Sequence, residues 1–154
     1  MIRVDFHARP VTCLAMRFRQ PGTKWCQVTL STYRRRKLFK IAATARFCER
    51  LLRHTCEAYG WRVDAVVVRA DIVQVLLEVP RATPRDVVVS RLRAAAGRAV
   101  RDGMVCAQGR RVFETGNWFA VITSPTGLAT LRGRLLHAAS EERGLEFQPG
   151  FVIQ

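Results

Sequence analysis

Between Trp61 and Pro80 two β-like runs, Arg62–Arg69 and Ile72–Val79, meet across a connection as short as Ala70-Asp71. So tight a link joins neighbouring antiparallel strands, since a parallel return would need a dozen or more residues. In the second run Val73, Val75, Leu77 and Val79 point to one face of a sheet, and Ile72, Gln74, Leu76 and Glu78 to the other. The valine-rich face asks for a cover of helices. The opposite face, which carries Gln74, is left for other use.

The rest of the chain supplies strands and helices in a definite order. Gln27–Thr32 alternates, with Val28 and Leu30 on one side and Thr29 and Ser31 on the other, and reads as a strand. A basic turn, Tyr33–Lys37, follows. A helix is expected from about Lys40 to Tyr59, with Gly60 as its C-terminal cap. Ile41, Ala45, Cys48, Leu52 and Tyr59 form its apolar stripe, and Arg46, Arg50 and Arg53 lie on another side.

After the strand pair, Thr83-Pro84-Arg85-Asp86 is a helix start, with an N-cap, a proline in the first turn and an acid near the positive end of the dipole. That helix should end before Gly103. Residues 104–116 read as loop and Asn117–Thr123 as a strand, and a third helix starts at Ser124-Pro125 or Thr126 and ends near Arg143-Gly144. Residues 11–18 suit an additional edge strand, Gln20–Thr23 a turn, and 145–154 an apolar tail able to dock, including on a partner subunit.

From residue 25 the order is β-α-β-β-α-β-α. This is an α+β chain of the split β-α-β, ferredoxin-like kind, with an antiparallel sheet, helices on one face and an added C-terminal helix.

A length of 154 residues suits one domain with a core of its own, with 1–24 as an extension, 25–143 as the main body and 144–154 as the tail. No apolar run reaches the roughly 20 residues that span a bilayer, and the N-terminus lacks a signal-peptide layout. A soluble, cytoplasmic protein with no membrane partner is expected.

Five cysteines (13, 26, 48, 56 and 106) form no metal-ligand or disulfide pattern, so reduced, buried thiols are expected. The formal net charge of +14 points to a polyanionic partner. Residues 1–53 hold 13 Lys and Arg against 2 acids, and residues 54–154 hold 13 against 10. Only Lys24, Lys37 and Lys40 are lysines. Arginine suits bidentate phosphate contact and stacking on bases, although a GC-rich genome also favours its codons.

In four segments the sequence resembles the HUH single-tyrosine transposases, especially the REP-associated tyrosine transposases. Val28–Phe39 is similar to that family's first strand and basic turn, and Arg62–Pro80 to the strand pair that carries its metal-binding histidines. Val112–Phe119 resembles its aromatic-glycine segment, and Leu128–Arg143 stands where its nucleophilic tyrosine helix stands. In the family, two histidines hold a divalent metal that polarises the scissile phosphate, and a tyrosine attacks the phosphorus.

The resemblance places Ile72 and Gln74 at the histidine positions and Arg134 near the tyrosine position. Isoleucine cannot coordinate a metal, and one amide oxygen does not replace two imidazoles. Tyr33 and Tyr59 are the only tyrosines in the chain, and both precede that helix; His7, His54 and His137 are scattered. Cleavage by the family's route is therefore not expected. A divalent metal would be expected only with an intact site, so no cofactor is.

With that resemblance, Tyr33, Arg34, Arg35, Arg36, Lys37 and Lys40 become the leading candidates for nucleic-acid contact, the tyrosine for stacking and the cations for phosphate. A merely solvated basic turn is the alternative. Arg110 and Arg111 form a second basic point. Arg132 and Arg134 could hold a phosphate from the C-terminal helix, or could simply be exposed helix arginines. Gln74 could bond a base or phosphate, or be a polar remnant. Trp25, Trp61 and Trp118 each adjoin a strand and are expected to pack in or around the core.

Three functions fit. The leading one is a catalytically inactive transposase relative that binds hairpin or single-stranded DNA, homodimeric by resemblance, as a regulator, repressor or accessory factor. The second is an active transposase or nuclease with a rearranged site. The third is an RNA-binding module using the open sheet face.

Overall fold

The computed structural model describes residues 22–103 and 110–146. The suggested strand at 11–18, most of the 20–23 turn, Cys13, Cys106 and His7, and the tail from 147 lie outside the described residues. Strands β1 (Thr23–Thr32), β2 (Arg62–Arg69), β3 (Ile72–Pro80) and β4 (Phe113–Ile122) form one sheet in the order β2-β3-β1-β4. All three pairings are antiparallel. With helices α1 (Ala42–Ala58) and α2 (Arg85–Gly103) in the two crossovers and α3 (Pro125–Glu146) at the end, this is the expected α+β, split β-α-β arrangement.

The alternation in β3 places the layers as expected. Val73, Val75, Leu77 and Val79 join Val28, Leu30, Val66 and Val68 in a core closed by Cys48, Leu52 and Cys56 of α1 and Val88, Leu92 and Ala96 of α2. On the opposite face Trp25, Ala65, Val67 and Leu76 pack under Leu128, Leu135 and Ala139 of α3, with Ile122 and Leu131 at the margin. The third helix thus lies across the second sheet face, but its apolar contact covers only part of it. Ile72 and Gln74 stay half-buried there.

Local chemistry sets the helix ends. Gly60, at φ +70°, ends α1, and its N–H donates to the Glu57 carbonyl at 2.9 Å while the Trp61 N–H donates to the Cys56 carbonyl at 2.8 Å. This paired closure needs a left-handed residue, which glycine supplies without a Cβ penalty. Ser124 caps α3, its hydroxyl accepting from the Gly127 N–H at 3.0 Å, with Pro125 as the first helical residue. Helix α2 begins at Arg85, directly after Pro84, and extends through Gly103; α3 runs on to Glu146.

Three sequence expectations are corrected. Strand β1 begins at Thr23 rather than Gln27, because Trp25 and Cys26 continue the alternation and pair with Glu78 and Leu77. Strand β4 begins at Phe113, within the stretch 104–116 read as loop. Glu114-Thr-Gly-Asn117 has weak strand propensity, but β1 pairs with this part of the chain across a bulge between Leu30 and Thr32. The apolar stripe of α1 is Ala45, Cys48, Leu52 and Cys56. Ile41 and Tyr59 flank the helix as its end residues and are exposed.

Candidate nucleic-acid interface

At the C-terminal end of β1 the chain makes a 3-10 turn, Tyr33–Arg35, in which Arg34 (φ 53°) and Arg35 (φ 55°) are left-handed. For non-glycine residues this costs about 1–2 kcal/mol each. Contacts from distant segments hold the turn against that cost. Tyr33 N–H donates to the Val112 carbonyl at 2.8 Å, and Arg34 N–H to Glu114 Oε1 at 2.6 Å. The hairpin tip grips the other side, with Thr32 N–H donating to the Asp71 carbonyl and Phe39 N–H to the Ala70 carbonyl, both at 3.0 Å. Arg35 pairs with Asp71 at 3.0 Å and donates to the Ser31 hydroxyl at 3.2 Å.

The result is a cavity of about 360 Å³ lined by Tyr33, Arg34, Arg36, Arg110 and Arg111. The guanidinium carbons of Arg34, Arg36 and Arg111 lie 5.2, 5.9 and 5.1 Å from the centre of the Tyr33 ring. Arg36 donates to the Tyr33 and Arg111 carbonyls, and Arg111 to the Phe113 carbonyl at 3.2 Å. These bonds position the side chains without neutralising them. Among the described residues no carboxylate forms an ion pair with Arg34, Arg36, Arg110 or Arg111. An aromatic face bordered by guanidiniums without ion-pair partners, two of them held by backbone carbonyls, is suited to a phosphate with a base beside it.

The turn at Tyr33 and the separate basic point at Arg110-Arg111 therefore come together, because β1 ends beside the start of antiparallel β4. Lys37 and Lys40 are exposed after the turn and do not line the cavity. Arg35 is committed to Asp71. Arg132 is only 9% exposed and pairs with Asp64 at 3.4 Å, so α3 uses it inward, against the sheet. Arg134 is exposed on α3 and lines none of this cavity.

A second cleft of about 340 Å³ adjoins on the helix side, where Arg93, Gly97 and Arg101 of α2 face Arg111 and Phe113. The spacing of 93, 97 and 101, one helical turn apart each time, was the signal available in the sequence.

The positions that the family resemblance assigns to a metal do not fit one. Ile72 has no donor atom, and Gln74 offers a single amide oxygen beside Thr29 and Val67, its cross-strand neighbours. His54 sits on α1 and His137 is exposed on α3. Among the described residues no group of three or more His, Cys, Asp or Glu side chains could hold a metal ion.

The tryptophans divide. Trp25 and Trp61 are 5% and 6% exposed, as expected of core residues, but Trp118 is 55% exposed. It pairs with Thr29, so it stands on the sheet face that α3 covers only in part. Burial pushes the thiol of Cys26 up to about 11 and those of Cys48 and Cys56 up to about 12. They are inert core groups, as read from the sequence.

Among solved structures, the crystal structure of a candidate transposase from Deinococcus radiodurans R1 matches with a TM-score of 0.58 and 18% identity, over 74% of this chain and 90% of that one. The fold is transposase-like. The structure of a REP-associated tyrosine transposase bound to a REP hairpin aligns with a TM-score of 0.49 and 12% identity, over 67% of this chain and 58% of that one. No family model matches the chain, and no curated protein matches it in sequence. In this transposase-like fold, no described helix is long and apolar enough to cross a membrane.

Proposed function

We propose that this chain uses its transposase-like fold to bind DNA with unpaired segments, hairpins or single strands, and does not cut it by the metal-and-tyrosine route. The observation that carries the reading is the Tyr33 cavity, where two separate basic segments supply four lining arginines, three of them over the tyrosine ring, and none of the four side chains forms an ion pair with a carboxylate among the described residues. The net charge of +14 supplies long-range attraction to a polyanion. The non-cutting part is supported by Ile72 and Gln74, which suit no metal, and by the lack of any tyrosine after Tyr59. A dimeric state and a role as regulator or accessory factor to an active transposase belong to the same reading.

The test is binding to hairpin DNA, scrambled single strands, duplex DNA and hairpin RNA at several salt concentrations, with Mg²⁺ or Mn²⁺ present and the products resolved on a denaturing gel. Hairpin or single-stranded DNA should bind most tightly and remain intact. Replacing Tyr33 by alanine should weaken that binding by about 5- to 150-fold, the range for one lost stacking contact. A nicked strand overturns the non-cutting assignment, and preference for hairpin RNA overturns the choice of DNA. Equal affinity for every polyanion reduces the site to nonspecific electrostatics.

A further inference from the structure

Trp118 is the one large aromatic side chain among the described residues that the strand pairing places on the open sheet face and leaves more than half exposed. Covering so large an apolar ring is favourable because it removes apolar surface from water. An indole left on a sheet face beside polar neighbours is an unfilled contact. In its row the neighbours are Thr29 of β1 and then Gln74 of β3, paired directly across the sheet. Leu76, Gln27 and Ala120 form the adjoining row, and Leu76 already lies beneath α3.

In the row of Trp118, the buried hydroxyl oxygen Thr29 Oγ1 has no hydrogen-bond partner, and in the adjoining row neither has Gln27 Oε1, on a residue only 3% exposed. A buried acceptor left without a donor destabilises the fold. Thr29, half-buried beside Trp118, can take a donor from a ligand seated on the indole.

The basic cavity begins where β1, the strand beside Trp118, ends. Thr29 and Tyr33 belong to the same run of β1 and its following turn, four residues or about 13 Å apart. That is the length of about four stacked nucleotides. That spacing along β1 is within reach of a strand held by phosphate at Arg34, Arg36 and Arg111.

We propose that Trp118, with Gln74 and Thr29 beside it, is a stacking platform for one unpaired nucleobase of a bound DNA strand. Gln74 presents both an amide donor and a carbonyl acceptor, so it can bond the edge of whichever base stacks there. The face that resembles a metal site is then a base-reading site. This assignment rests on the DNA-binding reading above and adds a contact with the base where that reading requires only phosphate and Tyr33.

The experiment compares an oligothymidine of about ten nucleotides with an abasic deoxyribose-phosphate strand of equal length, using wild-type protein, Trp118→Ala and Trp118→Phe. Because Trp25 and Trp61 are buried, added strand should quench mainly Trp118 emission. The oligothymidine should quench it and the abasic strand should not. Trp118→Ala should lose about 5- to 150-fold in affinity for the oligothymidine and nothing for the abasic strand. Trp118→Phe should retain most of the affinity. Unchanged thermal unfolding of both variants would establish that the fold is intact, as expected for so exposed a residue.

If Trp118→Ala binds the oligothymidine like wild type, the platform is overturned while DNA binding stands. If wild type binds neither strand, the platform is overturned, and the DNA-binding reading falls with it when hairpin DNA also fails to bind.

Discussion

Arg34 and Arg35 occupy a backbone region that ordinarily belongs to glycine, and of the two Arg34 lines the cavity while Arg35 pairs with Asp71. Strain of this kind persists only where surrounding contacts overdetermine it, here Val112, Glu114, Ala70 and Asp71. Arg34→Gly should therefore leave stability unchanged or raise it by up to about 1 kcal/mol in chemical denaturation, while weakening DNA binding. A loss of both together would mean that the side chain holds the turn. The buried thiols give a second prediction. Cys26, Cys48 and Cys56 should resist alkylation at pH 8 until the protein unfolds, as read by peptide mass. Their native pKa values lie above the unfolded value near 9. The native state thus holds these protons longer, and their contribution to stability is complete below pH 9 and lost as pH rises through about 11 to 12.

At the scale of the element, α3 is anchored by an apolar stripe, Leu128, Leu135 and Ala139, and by the Arg132–Asp64 pair at its centre. The side chains of that pair are 11% and 14% exposed, so removing one partner leaves a charge in a poorly solvated place. Arg132→Ala should cost about 3 kcal/mol of stability, measured by urea unfolding, with no loss of DNA affinity at a temperature where the variant is folded. A selective loss of affinity would return Arg132 to the binding surface. Strand β4 shows the opposite dependence. Its first half has no strong strand pattern of its own and exists because β1 offers backbone partners, and that pairing is what carries Arg110-Arg111 to Tyr33.

For the whole molecule the question is how much of a net +14 acts at one place. Four arginines line the cavity, and if each holds a phosphate of a single strand, log K should fall with log salt at a slope of about −3. A slope near zero would remove phosphate from the interface, and a much steeper one would mean that exposed groups such as Lys37, Lys40 and Arg134 join it. Much of this architecture was legible in the chain. Gly60 and Ser124 announce helix ends, and the alternation from Ile72 to Val79 assigns two faces whose layers the structure confirms. Trp118 was not legible, because a tryptophan in a strand is usually buried and nothing local says how far the last helix reaches across the face.

The order of elements, the antiparallel hairpin, the parity of β3 and the positive charge follow from the sequence by itself, since propensity, capping and period-two alternation act over a few neighbouring residues. Which arginines stand free and which are spent was decided by tertiary structure alone. Arg35 and Arg132 meet Asp71 and Asp64, 36 and 68 positions away, while Arg36 and Arg111 meet one tyrosine ring. Charge is a property of residues, but its neutralisation depends on distances of a few ångströms between segments remote in the chain, and only the folded sheet sets those.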